Sequence, residues 1–330
     1  ASKRATTFKF DAIKPEFSQI ALNLPLKFSQ RNQMKKSTEF KADFALFAIA
    51  VVWGVTFLPM AQTLKTNGVF TLLFWRFLIS AVLMALISLK FTRKIDRNSL
   101  RFGAFLGALL FAAFTLQTFA LKYAPSSTVA FITGLNAVFT PFIALAFFGQ
   151  KVVVYAFIGA FLSAAGLYLL TGSELGFGAG EALSVVCALG FALHIIFTGV
   201  LVRRCELYWM VSAQFAAVAA LCFVAAQIFE PRGVVPVLDE AFFVAVAVTS
   251  VFATVLAFFV QTAAQRYTTP VKTSLIFTFE PVSAGILGYF VGGEILSGVQ
   301  IAGAGLILFG IVVSEVGSYY KNKRSRDADS

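Results

Sequence analysis

The chain has 330 residues, of which 58% are hydrophobic and only 13% charged, and its mean hydropathy is +0.83. Soluble domains are about 45–50% apolar and about 25% charged, so this composition leaves no polar coat and excludes both a soluble enzyme and a disordered chain. The 27 Lys/Arg against 16 Asp/Glu give +11, which fits either nucleic acid or an anionic membrane face, and the placement of the charges decides between them.

Residues 1–42 form a basic tail with no apolar core of secretory-signal type. Met34-Lys35-Lys36-Ser37 reads like a start site, so residues 1–33 are expected to be an upstream extension or processed leader, largely disordered. A transit peptide is the alternative, and Asp11 and Glu16 weigh against it because such peptides are acid-poor. Ten apolar stretches follow, each near the length of about 20 residues that a helix needs to cross a bilayer. They cover about 44–63, 70–90, 102–121, 127–148, 152–171, 179–201, 208–229, 241–262, 272–291 and 297–317, and are called spans 1 to 10. Transmembrane strands would alternate in polarity and be half as long, so the fold class is an all-α membrane protein. Phe dominates the aromatics, 39 against 8 Tyr and 3 Trp, and has no polar tip to satisfy in lipid. Cys187, Cys205 and Cys222 lie in apolar runs without metal spacing.

With the amino terminus placed in the cytoplasm, 23 of the 27 basic residues fall on that side. Only Lys65, Lys122 and Arg232 fall outside, and Arg76 lies within span 2. By the positive-inside rule both termini are expected in the cytoplasm. The positive charge is thus an orientation signal towards a lipid bilayer, and no nucleic-acid partner is expected.

Gln-Thr-Phe-Ala-Leu-Lys-Tyr at 117–123 recurs as Gln-Thr-Ala-Ala-Gln-Arg-Tyr at 261–267, an offset of 144. The same offset pairs Asn136 with Glu280, Gly149-Gln150 with Gly293-Glu294, Gly159 with Gly303 and Gly166 with Gly310. Spans 3–5 therefore map onto spans 8–10. Five helices per half is an odd number, so the halves are inverted, as in many secondary transporters with a midplane site. The glycines are expected to serve close helix packing. The expected organisation is a tail at 1–42, repeats at 43–172 and 173–318, and a basic tail at 319–330.

The residues Trp53-Gly54, Trp75-Arg76-Phe77, Tyr123-Ala124, Glu280-Pro281-Val282, Gly293-Glu294 and the Gly-spaced span 10 resemble the EamA branch of the drug/metabolite transporter superfamily, over about residues 40–318. Gln150 departs from that pattern, where Glu is common. The resemblance implies an inner-membrane carrier that exports small organic metabolites, such as amino acids, by alternating access.

Ionisable residues inside a membrane are costly and tend to face a cavity or a partner. Glu280, before Pro281, is a candidate for binding a proton or a substrate amine, or for a fixed interhelical contact. A kink at the proline would open the helix beside the carboxylate. Arg76 could bind a carboxylate bidentately, pair with Glu280, or snorkel to the interface. His194, the only histidine, is a packing residue or a titrating site group. Gln117 and Gln261 are repeat mates, as are Asn136 and Glu280, and Trp53 and Thr56 join them. Gln62, Gln214 and Trp75 are further polar candidates. Amides would hydrogen-bond a zwitterion and Trp53 would stack on it, whereas the plain reading is interhelical glue.

The chain has no Walker A sequence and no metal-ligand spacing, so no cofactor is expected. The expected partners are a small-molecule solute, with protons as the candidate coupling ion, and the bilayer. Spans 1, 3, 4, 6, 8 and 9 are expected to line the cavity. The alternatives are a nucleotide-sugar or phosphate-ester carrier of the same fold, for which Arg76 is scant positive charge, and a membrane-embedded lipid-modifying enzyme, which lacks convergent acids.

Overall fold

The computed structural model describes residues 36–92, 95–148, 154–171, 178–268 and 270–328. The readings of residues 1–33 and of Gln150 lie outside them. The described residues hold helices and connecting turns and no strand. Spans 1–3 are single helices: α1 (Lys36–Thr63), α2 (Val69–Phe91) and α3 (Arg97–Ala120). Span 4 is broken into α4 (Ser126–Thr133) and α5 (Asn136–Phe148). Spans 5–7 are α6 (Val154–Thr171), α7 (Ala179–Leu201) and α8 (Leu207–Phe229). Span 8 runs as α9 (Glu240–Val248), a π-helical stretch (Thr249–Leu256) and α10 (Ala257–Ala264). Span 9 is broken into α11 (Pro270–Phe277) and α12 (Phe279–Phe290), and span 10 is α13 (Gly298–Ala328).

Spans 1–4 and 6–8 are long and apolar enough to cross a bilayer unaided. Spans 5 and 10 carry shorter apolar helices, Val154–Leu170 and Gly298–Val313. Two expected limits shift. Helix α1 begins at Lys36, inside the expected tail, and α13 continues to Ala328, through most of the expected carboxy-terminal tail. Lys, Arg and Glu are good helix formers, so a helix leaving the apolar layer need not stop there.

Polar side chains set the helix starts. Asp96 accepts from the backbone N–H groups of Asn98 and Ser99 at the head of α3, and Glu206 from that of Trp209 at the head of α8. At the head of α9, Asp239 accepts from the Phe242 amide and from the Thr66 hydroxyl. The Thr66 bond, then the Phe242 amide, holds the Asp239 carboxyl below the usual carboxylate range.

The two breaks are repeat mates, since the offset of 144 lays Gly134 on Thr278. In span 9 the proline accounts for the break. Pro281 has no N–H to give the carbonyl of Phe277, so α11 ends there. It then stands third in α12, within the first turn, whose amides have no intrahelical acceptor anyway. The expected kink is therefore a full interruption that starts ahead of Glu280.

Lipid offers no hydrophobic drive between helices, so close packing of small residues has to supply it. Span 5 packs along span 10, span 2 along span 7, and span 1 along α12. At the first seam, a Cβ on Gly166 would stand 2.6 Å from the Gly303 carbonyl oxygen and one on Gly310 2.7 Å from that of Gly159. The repeated glycines thus pack the two mates against each other. Outward faces are apolar, with Phe161, Tyr168 and Phe290 about three-quarters exposed, as a lipid-facing surface requires. Cys187, Cys205 and Cys222 are buried free thiols.

Candidate functional site

Between the two halves lies a cavity lined from spans 1, 3, 4, 6, 8 and 9 and, from span 2, by Arg76. Eight of the eleven polar candidates named on sequence line it: Trp53 and Thr56 from span 1, Arg76, Gln117, Asn136, His194, Gln261 and Glu280; Gln62, Trp75 and Gln214 do not. Phe57, Met60, Phe114, Phe191, Ile195, Phe258 and Phe277 supply its apolar walls.

The π-helical stretch of span 8 organises one side. A π turn is wider than an α turn, and such turns recur at functional sites. Here the Ala253 carbonyl accepts from the Trp53 indole N–H at 2.7 Å, and the Thr254 hydroxyl accepts from Arg76 Nε at 2.8 Å. One turn earlier, Ser250 Oγ donates to the Arg76 carbonyl and Ser80 Oγ to the Ser250 carbonyl, both at 3.1 Å. Spans 1, 2 and 8 are tied together at this level.

Arg76 is 1% exposed. Its guanidinium lies 4.5 Å from the centroid of Phe114 and 5.3 Å from that of Phe77, with Nη1 3.4 Å from Met60 Sδ. Two sequence alternatives are corrected. Arg76 does not snorkel, because it sits two turns inside α2 behind Phe114. It does not pair with Glu280; its charge is held by Thr254 and two aromatic faces.

His194 Nε2 lies 2.9 Å from Gln214 Oε1 and 3.3 Å from Thr198 Oγ1, and its ring meets Phe258 edge-on at 5.7 Å. Span 7 therefore fixes the imidazole orientation although it lines none of the cavity. Trp53 packs on Phe277 at 4.8 Å and Phe258 at 5.3 Å, and Thr56 donates back to the Trp53 carbonyl.

The repeat mates behave differently. Glu280 is 8% exposed, and among the described residues its carboxyl has no hydrogen-bond or ion-pair partner. Asn136 Oδ1 and Gln261 Oε1 are buried acceptors without a donor. Buried polar atoms of this kind are uncommon, and each one calls for a reason. Two buried acceptors without a donor, beside the Glu280 carboxyl, match a ligand that brings its own donors.

Both ends of the bundle carry a tie. At the end where α1 begins and α13 ends, Lys272 of α11 and Asp43 of α1 form an ion pair of 2.6 Å. At the distal end, Gly293 takes φ +67° and turns the chain out of α12, so that Glu294 folds back on α4. The Glu294 carboxylate accepts from Ser126 N, Ser126 Oγ and Ser127 N at 2.9, 2.6 and 3.0 Å. It occupies space that a side chain on Gly288 would fill. Partial burial works to raise this carboxyl, and the serine hydrogen bonds outweigh it, so it ends below the usual range. A depressed carboxyl stabilises the fold fully above the ordinary carboxylate range and loses that contribution as pH falls through its own lower value. Glu294→Ala should cost about 1–2 kcal/mol, with Gln recovering part because it still accepts. Thermal melts in detergent check this, and at acidic pH the difference from the parent should shrink.

Thr254, Met60 and the π-helical geometry were not singled out on sequence. The run Thr249-Ser250 followed by Thr254 in an apolar span was the available signal. Glu294 was noted only as part of a motif; its partners, Ser126 and Ser127, lie 168 and 167 residues away.

Known proteins carry the same architecture. A crystal structure superposes with a TM-score of 0.64 at 20% identity, over 84% of this chain and 96% of its own, which bears on the fold alone. An uncharacterised transporter of Archaeoglobus fulgidus is 28% identical over 276 residues, 82% of this chain and 85% of the relative. The uncharacterised inner membrane transporter YedA of Escherichia coli K12 is 24% identical over 283 residues, 83% and 90% of the two chains. Residues 40–172 and 178–315 each match the EamA-like transporter family. Two matched repeats, a multi-pass helical bundle and a cavity at their junction together place the chain in the EamA-like transporter family.

Proposed function

We propose that this transporter exports small organic solutes, amino acids among them, across a cell inner membrane by alternating access, with both termini in the cytoplasm. The observation that supports this reading is the set of repeat-mate polar residues at one cavity: Asn136 with Glu280, and Gln117 with Gln261. A solute ammonium or a proton would satisfy Glu280. Solute N–H and O–H donors would meet the free oxygens of Asn136 and Gln261. Trp53 would stack on an apolar side chain, and Arg76, already held by Thr254, would complement a carboxylate through its remaining N–H groups. With a single guanidinium on the cavity wall, a monocarboxylate suits it better than a sugar nucleotide carrying two phosphates.

Alternation would use the paired breaks. Helices α4 and α11 are short half-spans at opposite ends, one tied by Glu294 and the other by Lys272–Asp43. Releasing one tie while keeping the other opens the cavity to one side at a time.

The reading is tested in proteoliposomes by a flux screen over amino acids and other small metabolites, with and without a pH gradient. In the same vesicles, single cysteines at Thr56 and Asn136 on a cysteine-free background should react with a thiol reagent and be protected at least about fivefold by a transported solute. Labelling indifferent to every transported solute would remove these residues from the pathway.

A further inference from the structure

The distal end carries a second recess, separate from the central cavity, between the outer turns of spans 2, 3 and 7. Lys122 and Arg232 stand at its rim, and Phe70, Phe119 and Phe229 line it. None of these residues lines the central cavity. Basic residues are scarce here. Of the three assigned to this end from the sequence, Lys65, Lys122 and Arg232, two converge on this one recess. Both are exposed, and among the described residues neither side chain has an ion-pair or hydrogen-bond partner.

The one carboxylate in the recess does not neutralise them. Glu230 is spent on the head of α2, where it accepts from Phe70 N at 2.7 Å and from Thr71 N at 3.0 Å, and also from the Thr71 hydroxyl. Gly68 leaves the space that this carboxylate occupies. Its charge thus meets the positive end of a helix dipole, while the two cations remain unmatched.

Beneath the cations the wall is aromatic and reaches the lipid-facing side. Phe70 contacts Phe119 at 5.6 Å and Phe229 at 6.0 Å between ring centroids. Phe229 is 70% exposed and its neighbour Ile228 66% exposed. A cationic rim above an aromatic slope that opens sideways matches one amphiphile: an anionic head on an acyl chain. A water-soluble anion would leave the aromatic slope bare.

We propose that this recess binds an anionic glycerophospholipid, its phosphate between Lys122 and Arg232 and its first acyl methylenes against Phe229. Such a lipid would bridge spans 2, 3 and 7 beside Trp75, whose indole N–H donates to Val234 O in the loop that follows span 7.

Native mass spectrometry of the full chain from nanodiscs tests this, with phosphatidylglycerol and phosphatidylcholine offered in equal amounts. The parent should retain phosphatidylglycerol preferentially. A basic residue near an anionic surface contributes about fivefold, so Lys122→Gln with Arg232→Gln should reduce that preference about 25-fold. Lys65→Gln, the third distal base and outside the recess, should leave it unchanged. Phe229→Ala should weaken retention of phosphatidylglycerol, while soluble glycerophosphoglycerol should compete only weakly. Equal retention by the parent and the double variant would overturn the site. Equal loss in Lys65→Gln would reduce it to general surface charge. Full displacement by soluble glycerophosphoglycerol would make it a free-anion site. The charge-reversed pair Lys122→Glu and Arg232→Glu should exclude phosphatidylglycerol altogether, and its melting profile shows whether the fold is kept.

Discussion

Glu280→Gln should abolish the dependence of flux on a pH gradient and lower the flux itself at least about tenfold. The carboxyl lines the cavity, is almost fully out of water and has no partner among the described residues. A carboxylate in such surroundings needs a proton, or a cation supplied by the cavity's contents. If a proton fills that need in one half of the cycle and the solute in the other, the glutamate couples the two movements. Glutamine keeps the size and the acceptor oxygen but carries no exchangeable charge. The result separates three cases. Loss of the pH response with residual downhill flux assigns proton coupling to Glu280. A rise in KM with the pH response intact assigns it to the solute ammonium. Unchanged KM, flux and pH response would remove Glu280 from the mechanism. His194 offers the internal comparison. Its Nε2 is engaged by Gln214 and Thr198, so His194→Gln should shift KM more than the pH response.

The bundle was legible in the sequence because the signals for it are long: ten apolar stretches and an offset that recurs over tens of residues. The cavity was legible for a related reason. Polar residues in lipid are costly enough to be rare, so naming Arg76, His194 and Glu280 comes close to naming what faces a cavity. What could not be read was the partner of each group. Arg76 had three readings on sequence, and its protein partner is outside all of them: Thr254, 178 residues away, whose hydroxyl a π-helical stretch presents towards span 2. The π geometry leaves no mark in the apolar pattern, which is satisfied as well by an α-helix. The interruption of span 9 ahead of Glu280 was read only as a kink, since Pro281 shows which amide is missing but not where the chain re-forms a helix. Glu294 belongs to the same class: its effect rests on two serines in the opposite repeat.

A substitution at Gly54 should destabilise even when it improves helix propensity. Span 1 crosses α12 at this residue, directly beside the cavity. A Cβ there would fall on Ser283 Oγ and the Glu280 carbonyl oxygen, and within 2.8 Å of Ala284 N. Two of these three atoms are backbone, so neither can swing away as a side chain would. Ser283 Oγ is itself held by the Val51 carbonyl at 3.3 Å and the Glu280 carbonyl at 2.9 Å. Gly to Ala inside a helix ordinarily gains about 1 kcal/mol, so the sign of the change is diagnostic. At Gly54 the gain should be overridden by separation of the helices, with a net loss of about 1–3 kcal/mol for Ala and more for Leu. Flux should fall in parallel, because the displaced helix carries Glu280. Gly305 supplies the control. It is exposed on α13, and a Cβ there meets nothing within 4 Å, so Gly305→Ala should raise the melting temperature or leave it unchanged. Melts of the two alanine variants in one detergent decide the matter. Equal gains at both positions would mean that span 1 does not approach α12 this closely, and the position of Glu280 against Gly54 would have to be abandoned.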